Sequence, residues 1–105
     1  MRFLKNWNLK RVVEMLTLPI KEVWFLMIKD GIKKEEYREP NSYYNSRFSR
    51  YENQKITVIF RNGYSRNSPS LKCDVIPRKK FGNPAWGAEA YHLYWTLEIM
   101  SVSVV

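Results

Sequence analysis

One cysteine, one histidine and no long apolar run set the first limits on this chain of 105 residues. A single thiol, Cys73, excludes an internal disulfide framework and a cysteine-ligated zinc cluster, and it suits a reducing compartment. His92, the only imidazole, argues against a multi-histidine metal centre, and no cofactor is expected. The longest uninterrupted apolar run, Val23 to Ile28, falls far short of the ~20 residues that a membrane-spanning helix needs. Acidic residues are also scarce, 10 against 18 lysines and arginines. What is present is a chain 45% apolar and 15% aromatic, too rich for a disordered tail. Its length suits one domain, and the expectation is a small, soluble, cytoplasmic protein with no membrane partner.

The net charge of +8 favours an anionic partner, nucleic acid first, because each neutralised phosphate releases condensed counterions. The plainer alternative is a charge that serves solubility alone. Residues 1–14 carry Arg2, Lys5, Lys10 and Arg11 against Glu14, yet the remainder keeps a surplus of +5 without them. Charges interrupt the apolar residues of this leader, so it does not read as a signal peptide. It is treated as an extension, with Met15 a candidate natural start and residues 15–105 a single domain.

Local pattern places about five strands and two helices. Met15 to Ile20 reads as a short buried strand stopped by Pro19. Lys21 to Lys29 reads as an amphipathic helix with Val23, Trp24, Met27 and Ile28 on its apolar face, capped by Gly31. Strand alternation over residues 33–39 sets Tyr37 opposite Glu36 and Arg38. Pro40-Asn41-Ser42 supplies a helix N-cap for a short helix over Tyr43 to Tyr51. Lys55 to Arg61 is a β-branched strand followed at once by the turn signal Asn62-Gly63. Ser70 to Ile76 forms the next strand, after which Arg78-Lys79-Lys80 reads as a solvated basic loop and Gly82 to Gly87 as a loop carrying Trp86. The last strand covers Tyr91 to Ile99, and residues 100–105 either continue it or fray. This order predicts an α+β fold, a small, mostly antiparallel β-barrel flanked by two or so helices.

The segment Gly31-Ile-Lys33-Lys-Glu-Glu36-Tyr-Arg38 resembles the G-x-K-x-x-E-x-R signature of the ASCH domain, a branch of the PUA-like superfamily. Phe60-Arg-Asn-Gly-Tyr64 and Trp86-Gly87 are similar to segments of small phage and bacterial ASCH proteins, and the resemblance spans roughly residues 15–99. It implies a barrel whose motif lines a cleft, and RNA or a modified nucleoside as the ligand. One branch of the family removes the acetyl group from N4-acetylcytidine, and ribonuclease activity is also linked to it. In the amidohydrolase branch a threonine stands three residues after the lysine, where this chain has Glu36. The catalytic glutamate of that branch has no aligned position; Glu89 and Glu98 are guesses. The resemblance therefore carries over Lys33 without the complete amidohydrolase site.

The residues themselves allow two accounts of this motif. Lys33, Glu36 and Arg38 converging in a basic cleft would suit a phosphate or a polarised carbonyl, with Lys33 activating water, Glu36 moving protons and Arg38 stabilising the developing anion. A surface ion network contributing ~0–1 kcal/mol per pair would place the same charges in solvent. Around the Asn62-Gly63 turn, Arg61 could meet a phosphate, with Asn62 beside it and Tyr64 stacking a base. The competing account is turn geometry with Tyr64 covering the barrel end. Trp86 is equally a stacking platform or a plug at the barrel mouth. Three functions follow: an RNA- or nucleotide-binding module, a small hydrolase acting on a modified nucleoside or RNA, or a phage-type accessory protein that binds a host protein.

Overall fold

The structure, a computed structural model, describes residues 16–105. The expectations for residues 1–14 and for Met15 lie outside the described residues. Among the described residues five strands form one mixed, strongly curled half-barrel sheet with two α-helices, the α+β class that the pattern predicts. Strand β1 (Leu16–Pro19) runs parallel to β3 (Ile56–Arg61), which is antiparallel to β4 (Ser70–Phe81). Strand β4 is in turn antiparallel to β5 (Leu93–Val104), and β5 to β2 (Glu35–Arg38). The sheet order is thus β1-β3-β4-β5-β2, with β1 and β2 at the edges. Pro19 is tolerated because β1 is an edge strand. Ile20 extends the pairing by one bond, its N–H donating to the Arg61 carbonyl at 2.9 Å.

Helix α1 (Glu22–Lys29) places Glu22 in its first turn and Lys29 in its last, each favourable to the helix dipole. It buries Phe25 and Ile28, whereas Val23 is exposed and Trp24 and Met27 are half-buried, so the core-facing stripe is rotated from the expected one. Gly31 ends it as the pattern predicts. At φ +77° its N–H reaches the Ile28 carbonyl at 3.0 Å. Helix α2 (Ser42–Phe48) begins at Asn41, whose side chain accepts from the Tyr44 N–H at 2.9 Å. The expected helix over 43–51 tightens after Phe48 into a 3₁₀ turn, Ser49–Tyr51.

The Asn62-Gly63 turn signal opens the loop of residues 62–69 between β3 and β4, tied by the Asn62 N–H to the Pro69 carbonyl at 2.8 Å. Two sequence expectations change. Strand β4 runs through Pro77 instead of stopping before it. The Pro77 carbonyl accepts from the Asn53 N–H at 2.8 Å, on the side away from the β5 ladder, and a residue's N and O share one side of a strand. The missing N–H therefore costs the ladder nothing. Arg78-Lys79-Lys80 is accordingly strand, not a solvated loop. Arg78 Nε meets Glu98 at 2.7 Å, while Lys80 Nζ meets Glu98 at 2.6 Å and Glu35 at 2.9 Å. Lys79, on the other face, lies over the Trp95 ring. Strand β5 continues to Val104.

The core lies between the curled sheet and the helices: Leu18, Phe25, Ile28, Phe48, Val58, Phe60, Leu71, Val75, Trp95 and Leu97, with Cys73. Burial as a small apolar group accounts for that thiol and pushes its pKa up to about 11. Trp95 Nε1–H donates to Asn45 Oδ1 at 2.8 Å, fastening α2 to the sheet.

Candidate functional site

The motif is assembled by the end of α1 and by β2. Gly31 reverses the chain, and the N–H groups of Ile32 and Lys33 both return to the Met27 carbonyl, so the Lys33 side chain turns under Trp24. Pairing Glu36 with Leu97 and Arg38 with Trp95 then sets the carboxylate and the guanidinium side by side.

The three tips meet. Lys33 Nζ is 3.3 Å from Glu36 Oε1, and Arg38 Nη2 is 3.0 Å from Glu36 Oε2. Lys33 is 1% exposed and Glu36 7%, so this is a buried chain of charges and not a surface network. The ammonium also donates to the Trp86 carbonyl and sits 4.7 Å from the Trp24 ring centroid and 4.8 Å from that of Tyr37. Burial lowers the Lys33 pKa, and the neighbouring Glu36 carboxylate opposes that shift without cancelling it. Arg38 also donates through Nη2 to the Pro19 carbonyl at 2.7 Å and through Nη1 to Tyr44 Oη at 3.0 Å. Its buried Nε has no partner among the described residues. Burial raises the Tyr37 phenol far above its usual range. That hydroxyl donates to Glu35 at 2.7 Å and accepts from the Asn83 N–H at 2.9 Å, which holds the Trp86 loop in place.

Above Glu36 and Arg38 an open cleft of about 360 Å³ is walled by Trp24, Tyr37, Tyr44 and Tyr94, with Pro19, Ile20, Lys21, Glu39 and Asn41 at its sides. Lys21 and Arg38 face Glu36 and Glu39, so the wall is charge-balanced where a basic cleft was expected. Glu39 also holds His92 Nε2 at 2.9 Å at the rim. Alternating donors and acceptors between aromatic faces suit the edge and face of a planar heterocycle better than a bare phosphate.

Comparison with protein-family models, with curated proteins and with solved structures finds no match. The site is therefore argued from its own chemistry.

Of the remaining sequence candidates, Trp86 contributes its carbonyl to Lys33 and its half-buried side chain is not among the residues walling the cleft. Arg61 turns toward Ser70, Nε to Oγ 3.4 Å. Asn62 and Tyr64 line a second hollow that shares Pro19, Ile20 and Lys21 with the first. Sequence reasoning missed Trp24, Tyr44, Tyr94 and Lys21 as cleft residues. The one available signal was the density of tyrosine and arginine from Tyr43 to Tyr51, which served equally well as a helix packing on the sheet. Among the described residues no group of three or more His, Cys, Asp or Glu could hold a metal ion, and no helix is long and apolar enough to cross a membrane.

Proposed function

We propose that the cleft binds a nucleobase of RNA or of a nucleotide, in a protein that uses the ASCH-like motif for recognition. The observation that carries this reading is the buried Lys33–Glu36–Arg38 chain lying beneath an open cleft walled by aromatic rings. In that arrangement Tyr44 and Trp24 offer ring faces for stacking, Glu36 accepts from an exocyclic amine, and Arg38 donates to a ring nitrogen or carbonyl. The basic surplus outside the cleft attracts the phosphates.

Lys33 acts from behind. Its ammonium is engaged by Glu36, the Trp86 carbonyl and two rings, so it fixes the position of the Glu36 carboxylate while the ligand meets Glu36 and Arg38. One observation favours a second reading, a hydrolase acting on an N4-acylated cytidine: burial lowers the pKa of a lysine beside a carboxylate, the kind of perturbation found where protons move. Turnover of such a nucleoside that is lost in Lys33→Ala would establish that reading.

The binding reading is tested by fluorescence titration with short single-stranded RNA at two salt concentrations, using the wild type and Arg38→Lys. The substitution keeps the charge and removes the planar fork. Saturable binding that weakens with salt, and weakens about tenfold further in Arg38→Lys, is expected. Undetectable binding, or binding indifferent to both changes, contradicts it.

A further inference from the structure

The second hollow bears on the size of the ligand. It encloses about 330 Å³ between Pro19, Ile20 and Lys21 on one flank and Asn62, Gly63 and Tyr64 on the other. The partition between the two hollows is the shared turn Pro19-Ile20-Lys21, at most ~10 Å of chain. That partition is fixed from both sides. Arg38 Nη2 holds the Pro19 carbonyl at 2.7 Å, and the Ile20 N–H donates to the Arg61 carbonyl at 2.9 Å, immediately before Asn62. The two hollows are thus held in one spatial relation by bonds that start in the motif and end in the β3–β4 loop.

Tyr64 is 92% exposed. A ring so open contributes little to the core, and its faces remain available for stacking. Lys21, exposed on the partition, lines both hollows. Glu36 and Glu39 disfavour a phosphate inside the first cleft, so a phosphate attached to a base held there is directed outward to this lysine. Along the surface the order is ring, cation, ring, which matches base, phosphate, base along a single strand.

We propose that the two hollows are neighbouring base sites for one single-stranded RNA, so that the ligand is an oligonucleotide of two or more residues and not a free nucleoside or mononucleotide. One base enters the Trp24–Tyr44 cleft, the next stacks on Tyr64 beside the Asn62 amide, and Lys21 takes the phosphate between them. This rests on the cleft reading above, and the test separates the two.

The intrinsic fluorescence of the full chain is titrated with ribonucleoside 5′-monophosphates and with the corresponding ribodinucleotides, for the wild type, Tyr64→Ala and Lys21→Gln. The best dinucleotide is expected to bind about tenfold more tightly than either of its mononucleotides, one stacked base's worth. Tyr64→Ala removes that gain, and Lys21→Gln flattens the salt dependence of mononucleotide and dinucleotide binding alike. Mononucleotides binding as tightly as dinucleotides, or a gain that survives Tyr64→Ala, overturns the two-site proposal and leaves the cleft reading standing. No response to either ligand class overturns both. A strong response to a protein partner, with none to RNA, has the same effect.

Discussion

Lys33 and Lys80 are both paired lysines, yet they stand on opposite sides of the line between structural cost and surface decoration. Lys33 is buried with a single carboxylate, Glu36, whereas Lys80 is half-buried between Glu35 and Glu98, its side chain still 40% exposed. Removing one partner of a buried pair strands the other charge, so Glu36→Gln is expected to cost about 3–5 kcal/mol in urea unfolding. Lys80→Ala is expected to cost no more than about 1 kcal/mol, because solvent screens the pair. The pH dependence of Lys33 has a definite sign. Its folded pKa lies below the ordinary 10.5, so between the two values the unfolded chain holds more protons and stability rises with pH. The stability of the wild type minus that of Lys33→Met should therefore increase as pH climbs toward 10.5; a flat or falling difference contradicts the assignment. At this scale the motif was legible: strand alternation placed Glu36 and Arg38 together, and Gly31 marked the turn that brings in Lys33. The burial of Lys33 was not, because the Trp24 ring and the Trp86 carbonyl that enclose it come from distant segments.

Among the elements, legibility followed the range of the forces involved. Strand β3 was readable because Ile56, Val58 and Phe60 alternate within six residues, and α1 because an apolar stretch between Glu22 and Lys29 ends at Gly31, although its buried face, Phe25 and Ile28, was not. The Arg78-Lys79-Lys80 run was not, since a dense positive charge looks solvated until its carboxylates, Glu35 and Glu98, are brought alongside by strand pairing. Glu98 gives that pairing a pH signature. Burial works against its ionised form, but hydrogen bonds from Lys80 and Arg78 more than offset this and hold its pKa below 4.5. Its contribution is thus present above pH 4.5 and lost as pH falls through the folded pKa, so the stability advantage of wild type over Glu98→Gln should shrink in acid unfolding experiments. The short 3₁₀ turn Pro84–Trp86 depends on Gly87, which has φ +99° and would place a Cβ 2.8 Å from the Trp24 ring. Gly87→Ala should therefore destabilise by about 1–3 kcal/mol and alter the near-ultraviolet dichroism of the aromatic residues. Gly31→Ala, with open space around it, should cost only the φ penalty of about 1–2 kcal/mol and leave that spectrum unchanged.

For the whole molecule, the curled sheet brings the turn after β1, the end of β2 and the start of α2 to one place, and this creates the aromatic cleft. The converging segments are distant in sequence, which is why Trp24 read as part of an apolar helix face and the tyrosines and arginines from Tyr43 to Tyr51 fitted a nucleic-acid contact and a helix packed on the sheet alike. The proposed function divides two tasks that the composition merges. The cleft itself is charge-balanced, and the surplus of +5 carried by residues 15–105 lies outside it, so the proposal assigns recognition of a base and attraction of the phosphate backbone to different residues. The most direct test of that division is an assigned 1H–15N correlation spectrum of the full chain titrated with a short single-stranded RNA. The account predicts that the largest shifts fall on the Trp24 indole N–H, the Arg38 Nε–H and the backbone amides of Lys21 and Tyr44. Shifts concentrated on the exposed end of β5, with the Trp24 and Arg38 signals unmoved, would contradict it.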